Sequence, residues 1–360
     1  MLLRLALLED SGNLRIMLEL VSGDAVSVNV NQLSRSLGRN RATIDHRIKA
    51  MIEHGVLDPP LYPFHGVFRV YPVLAIVNLD TRGLRGQGGG LVRWMHEDPH
   101  IFAAFHSKQW SHDTILLTYH ESISSQQLWM EAIPETLSTH YGMNVKQDDL
   151  QSSVFYLSNQ LMVKYSPGSG VNLIEKTVQK EGSVTLGGLE LDQLDVLIIK
   201  SLIEGRGIKT NISRLSAVSG LHRKTVEKRV NLLLTGRHVA DPICRFPGFL
   251  APPGYLLTIT EAHVKRLDEA LINHLVEDPH VPVAIQTANE AGNLLMFSNH
   301  EDVDSYLGWM EDLRGLFPNR ISDTSTTYLS PETVVAFNYK RIAVSYIKQK
   351  ITLLRNMSCL

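Results

Sequence analysis

The sequence predicts an α+β protein built as two tandem copies of one plan, a helical head and then a β-α-β-β-α-β layer. Three observations predict it. LSRSLGRNRATIDHRIKAMIEHGV at 33–56 returns as LSAVSGLHRKTVEKRVNLLLTGRHV at 215–239. LVRWMHEDPHIFAAF at 91–105 returns as LINHLVEDPHVPVAI at 271–285, an offset of 180 that also carries His120-Glu121 onto His300-Glu301 and Trp129-Met130-Glu131 onto Trp309-Met310-Glu311. Finally, 360 residues at 44% hydrophobic content exceed one ordinary domain and suffice for several cores.

Residues 5–21 read as a helix packing behind the turn motif, with Ser11-Gly12-Asn13 able to divide it. Leu33 and Leu37 give residues 30–37 one apolar stripe. Gly38 supplies a turn that needs positive φ, and Asn40 is a good N-cap. Ile44, Ile48 and Met51 then repeat at helical spacing, with Arg41, His46, Arg47 and Lys49 off that face. A basic, solvent-facing helix after a tight turn is what a helix-turn-helix protein inserts into the DNA major groove. In the second copy Gly220, Thr225, Val226, Val230 and Arg229 take the places of Gly38, Thr43, Ile44, Ile48 and Arg47, and both copies run into Asp-Pro.

Residues 58–66, rich in Pro and aromatics, suit a wing or linker rather than a regular element. Residues 68–79 read as a strand. TRGLRGQGGG at 81–90 is a glycine loop without the Lys-Ser/Thr ending or glycine order of a phosphate-binding motif. Residues 91–97 end a helix, 101–105 and 114–119 are strands bent at 110–113, and 153–157 is a last strand. Residues 125–141 form a helix with Leu128, Trp129, Ile133 and Leu137 inward. That order is the ferredoxin-like sandwich. Residues 166–188, with PGSG and TLGG, read as a linker, and 333–360 as a terminal strand or helix of the second sandwich. The expected domains are head 1 (1–62), sandwich 1 (63–165), linker (166–188), head 2 (189–248) and sandwich 2 with its extension (249–360).

Net charge is −2, but residues 31–50 carry +4 and 206–230 carry +6, leaving −12 elsewhere. Basic helices on an acidic body are the footprint of site-directed DNA binding. Two distant cysteines, Cys244 and Cys359, make neither a disulfide framework nor a zinc site. The opening residues lack a signal-peptide run and no apolar stretch spans a membrane, so a cytoplasmic, nucleoid-associated place is expected. His96, His100, His106, His112 and His120 crowd the first sandwich without metal-ligand spacing, so no metal and no cofactor is expected. His100 and His280, and His120 and His300, recur in the repeat and read as structural.

The expected DNA-contacting residues are Arg39, Arg41, Thr43, His46, Arg47 and Lys49 in the first head. In the second they are His222, Arg223, Lys224, Thr225, Lys228 and Arg229. The arginines at the helix edges would reach phosphate or guanine. The two faces differ in residue type, so the preferred double-stranded site would be asymmetric or pseudo-palindromic.

This plan resembles the Lrp/AsnC (feast/famine) transcription regulators, twice over and across almost the whole chain. The carrying residues are the two head segments, with EDPHIFAAFHSKQWSHDTILLTYH and EDPHVPVAIQTANEAGNLLMFSNH in the sandwiches. The resemblance implies winged-helix-like heads, RAM-like sandwiches that dimerise or build larger homo-oligomers, and a small-molecule effector site near the hairpin bend. The family's aspartate there is Asp113 in one half and Asn293 in the other, while its glycine is replaced by Trp110 and Glu290. That departure argues against a free amino acid bound in the usual way. Sirohaem decarboxylases also resemble this architecture, and Phe105-His106 is similar to their haem-side histidine. Ser107, Lys108 and Gln109 stand where their Tyr and Arg are expected. A nucleoid-type architectural protein is the third class.

Overall fold

In the chain's computed structural model, the described residues are all except 1–9, 64–70, 82–87, 107–112, 157–161, 167, 237–238, 248–249, 288–291, 330–333, 338 and 358–360. The first half runs α1 (Ser11–Ser22), β1 (Val26–Val28), α2 (Val30–Leu37), α3 (Arg41–Glu53), β2 (Asp58–Leu61), β3 (Val73–Leu79), α4 (Gly88–Glu97), β4 (Ile101–His106), β5 (Thr114–His120), α5 (Ile123–Tyr141), β6 (Leu150–Tyr156) and β7 (Met162–Tyr165). Then come α6 (Ser169–Glu181), β8 (Val184–Leu186) and β9 (Leu189–Leu191). The second half is α7 (Gln193–Ile203), β10 (Ile208–Thr210), α8 (Ile212–Ser219), α9 (Arg223–Thr235), β11 (Ile243–Arg245), β12 (Leu256–Val264), α10 (Glu269–Glu277), β13 (Val283–Gln286), β14 (Leu294–His300), α11 (Val303–Leu316), β15 (Ile321–Leu329), β16 (Val334–Phe337) and α12 (Tyr339–Met357).

The chain forms two compact units. One holds both heads and α12; the other holds both sandwiches with α6 and the β8–β9 hairpin.

Each sandwich has the ferredoxin-like strand order, with a fifth strand added at one edge. The sheets run β16-β4-β5-β3-β6 and β15-β12-β14-β13-β7. The fifth strands are exchanged. β7, which leaves the first sandwich, pairs antiparallel with β13 of the second, and β16, from the chain's end, pairs with β4 of the first. Each covers an edge that would otherwise expose unpaired backbone groups. The domain boundary at 165 and the place of the tail are corrected accordingly. Lys164 on β7 is buried, donates to the Asp278 carbonyl at 2.5 Å, and is pushed down to about 8 by that burial.

Each sheet is covered by its two helices. Trp94, Met95, Met130, Ile133 and Leu137 pack on the first, and Leu271, Leu275, Met310 and Leu313 on the second. The inner stripe of α5 runs through Gln126, Met130, Ile133 and Leu137. Leu128 is 67% exposed, against expectation, because the stripe continues through Gln126, which donates to Ser152 Oγ. Trp129 lies half-buried against the core.

The expected linker at 166–188 is largely folded. Val171, Leu173, Ile174 and Val178 give α6 a buried face. Gly187 and Gly188 have φ of 57° and 77°, and form the two-residue turn between β8 and β9. Two successive positive φ values are what a type I′ hairpin turn asks of its central pair. The DPPL segment expected as wing or linker is strand β2, paired with β11. The expected bend at 110–113 lies outside the described residues except for Asp113, as does most of the glycine loop at 81–90.

Candidate nucleic-acid interface

Both turn motifs form as their residues dictate. In the first, Gly38 ends α2 at φ 61°, Ser34 Oγ donates to the Arg39 carbonyl at 2.6 Å, and Asn40 caps α3 by accepting from Ala42 N–H. In the second, Gly220 ends α8 at φ 71°, Ser216 Oγ donates to the Leu221 carbonyl, and His222 caps α9 by accepting from Lys224 N–H. Ile44, Ile48 and Met51 face the core, as do Val226, Val230 and Leu233.

The heads pair with each other about a pseudo-two-fold axis. α7, β10, α8 and α9 of the second head start 182 residues after α1, β1, α2 and α3 of the first. Ser27 pairs with Lys209 in the β1–β10 ribbon, and Leu61 pairs with Ile243 in the β2–β11 ribbon. Ser27 and Lys209 are counterparts that meet each other, the signature of an isologous contact. The backing helices are shared: α1 packs on α8 and α9. Arg214 reaches Glu19 at 2.6 Å, and Arg229 donates to Asn13 Oδ1 at 2.9 Å and pairs with Asp10. Reciprocally, Arg47 of α3 donates to Asp195 of α7 at 2.7 Å. The expected first head of α1, α2 and α3 is therefore intertwined with its sister. Tyr62 and Thr210 share a hydroxyl hydrogen bond of 2.5 Å across the same junction.

Among the expected DNA-contacting residues, Arg39, Arg41, Thr43, His46 and Lys49 are exposed, and so are His222, Arg223, Lys224, Thr225 and Lys228. Lys49 pairs with Asp45, and Arg223 with Glu227, along their own helices. Arg47 and Arg229 were expected at the open edges. They are half-buried, and Asp195 holds Arg47 while Asp10 and Asn13 hold Arg229. The missed partners, Asp195, Asp10 and Asn13, carry no sequence signal beyond the coincidence that Asp195 and Asn13 are also 182 apart.

The sandwich residues are engaged internally. Asp113 accepts from Thr81 N–H at 2.6 Å and Thr81 Oγ1 at 2.7 Å. Asn293 accepts from Val264 N–H at 2.6 Å and donates to the Val264 carbonyl at 2.7 Å. Both close the end of the strand beside them. His106 sits exposed at the end of β4, and Ser107, Lys108 and Gln109 lie outside the described residues. In each sandwich a histidine pair stacks under a tryptophan: His100 on His120 at 4.8 Å, His280 on His300 at 5.2 Å. Trp129 and Trp309 donate to Asp98 and Asp278. Burial, then the neighbouring imidazole, pushes His120 and His300 down to about 3. Among the described residues no cluster of three His, Cys, Asp or Glu is arranged to hold a metal, and no helix is long and apolar enough to cross a membrane.

Comparison with protein-family models and with curated proteins returned no match. Among solved structures, the chain is similar to the siroheme decarboxylase NirDL at 10% identity and a TM-score of 0.47, over 96% of this chain and 100% of that one. It is similar to a Neisseria meningitidis transcriptional regulator solved with L-Met at 15% identity and a TM-score of 0.30, over 42% and 90%. It is also similar to E. coli AsnC at 14% identity and a TM-score of 0.30, over 41% of this chain and 91% of that one.

Proposed function

We propose that this protein is a sequence-specific DNA-binding transcription regulator that reads an asymmetric or pseudo-palindromic site with two different recognition helices. One observation carries the reading: a single chain holds two helix-turn-helix motifs as an isologous pair, each with an exposed basic helix. A pseudo-two-fold pair of heads addresses two half-sites at one fixed spacing. Arg41, Thr43, His46 and Lys49 face one half-site; Arg223, Lys224, Thr225 and Lys228 face the other. Arg39 and His222, at the helix starts, flank them. A base-edge code differing between the helices makes the preferred site asymmetric. In this reading the sandwiches take a small effector near Asp113 and Asn293 and assemble further copies, and the protein works in the cytoplasm on the nucleoid.

The experiment is fluorescence anisotropy with DNA selected from the source genome against shuffled DNA, over a salt series. Tight binding to the selected site with a steep salt slope supports the regulator. Equal binding to both sequences favours the architectural class. Absent binding at low salt, with a Soret band on adding a ferric tetrapyrrole, favours the enzyme class.

A further inference from the structure

The two sandwiches differ at one corner, where the helix end Glu-Asp-Pro-His meets the long helix behind it. In the first sandwich Trp94 of α4 is buried there and stacks on Trp129 of α5, ring centroids 6.3 Å apart. α5 continues to Tyr141, whose hydroxyl donates to the Glu97 carboxylate at 2.7 Å. At the offset of 180, His274 stands for Trp94, Trp309 for Trp129, Glu277 for Glu97 and Asp312 for Ala132. α11 stops at Leu316, before the position that matches Tyr141. Pro318 is the local cause, because a proline disfavours helical backbone at the residue before it, here Phe317. The second copy thus lacks both the indole and the phenol that fill this corner of the first.

A cleft of about 380 Å³ stands at that corner. His274, Glu277, Trp309, Asp312, Leu313 and Leu316 line it, with Lys176 of α6. The His274 ring lies against Phe317, centroids 5.4 Å apart. Asp278 and His280 also border the cleft and are bonded to each other at 2.9 Å. Glu277 and Asp312 are exposed, and neither has a hydrogen bond or ion pair among the described residues. The corner therefore offers an apolar wall and two carboxylates without partners.

We propose that this cleft binds a small aromatic amine, a flat ring that carries an ammonium group. The ring takes the place of the Trp94 indole, against Trp309, Leu313 and Leu316. The ammonium donates to Glu277 and Asp312, much as the Tyr141 hydroxyl donates to Glu97 in the first sandwich. The volume lies at the small end of ligand pockets, which span roughly 300–1,000 Å³, and suits one or two fused rings. Lys176, a cation on the same lining, opposes the ammonium.

The test is titration calorimetry on the full chain with tryptamine, and with indole as the same ring without the amine. Tryptamine should bind saturably and more tightly than indole. Glu277→Gln and Asp312→Asn, both exposed and safe for the fold, should each weaken tryptamine binding by about tenfold and leave indole unchanged. Lys176→Ala should tighten tryptamine binding. His274→Trp, which restores the indole of the first sandwich, should abolish binding of both compounds. Absence of saturable tryptamine binding overturns the proposal. So does equal affinity in wild type, His274→Trp and Glu277→Gln, or indole binding as tightly as tryptamine. Binding is read without DNA, so the result stands apart from the recognition helices and from the effector residues Asp113 and Asn293.

Discussion

Arg47 donates to Asp195 at 2.7 Å, and that bond ties α3 of one head to α7 of the other. Asp195 is 5% exposed. Removing the guanidinium deprives a buried carboxylate of this cation, whereas removing an exposed ion pair costs little. Arg47→Ala should lower stability by about 2 kcal/mol, measured by urea unfolding. Arg229→Ala should cost less, since Asp10 is itself 41% exposed in its side chain. An Arg47→Ala/Asp195→Ala cycle with no coupling would show the bond to be energetically silent.

Glycines divide by what surrounds them. Gly207→Ala meets both a left-handed φ of 76° and Leu33, and should cost about 2 kcal/mol or more. Gly38→Ala meets a left-handed φ of 61° in open space and should cost about 1 kcal/mol. Thermal unfolding of the two variants side by side checks the order.

Acid should weaken the sandwiches. His120 and His300 are held neutral, with folded values of about 3 against an ordinary 6.5. Between those values the unfolded chain binds more protons than the folded one. The stabilisation is complete above pH 6.5 and falls as pH drops toward 3, at about 1.4 kcal/mol per pH unit for each histidine. Urea midpoints at about pH 7, 6 and 5 should decline, and His120→Gln/His300→Gln should flatten the decline. An equal slope in the variant would place the pH dependence elsewhere.

Much of the architecture was legible because the chain states it twice. The turn motifs and the sandwich strands stem from local periodicity, which recurs in both copies. What escaped was pairing at a distance. Nothing in MVKY or VVAF says which sheet each joins, so the exchange of β7 and β16 is invisible to a local pattern. Gly-rich TLGG reads alike as linker or as a tight hairpin. Charge alone does not separate Arg41 from Arg47: Arg47 is held by Asp195, which is 148 residues away.

The recognition helices themselves should respond through salt. Arg41→Ala and Lys224→Ala, both exposed, should each lower the slope of log K against log salt by about 0.9 if they meet phosphate. Thr43→Ala and Thr225→Ala should leave the slope unchanged and relax sequence preference instead.

That one chain presents two unlike heads to one DNA site is tested most directly by anisotropy on a selected site. Its two half-sites are scrambled one at a time, at several salt concentrations. Scrambling either half should weaken binding, and Arg41→Ala and Lys224→Ala should show unequal effects on the two halves. Changing the half-site spacing by about five base pairs, half a helical turn, should abolish tight binding. Equal affinity for intact and scrambled DNA at every salt concentration would contradict a two-headed reader of sequence.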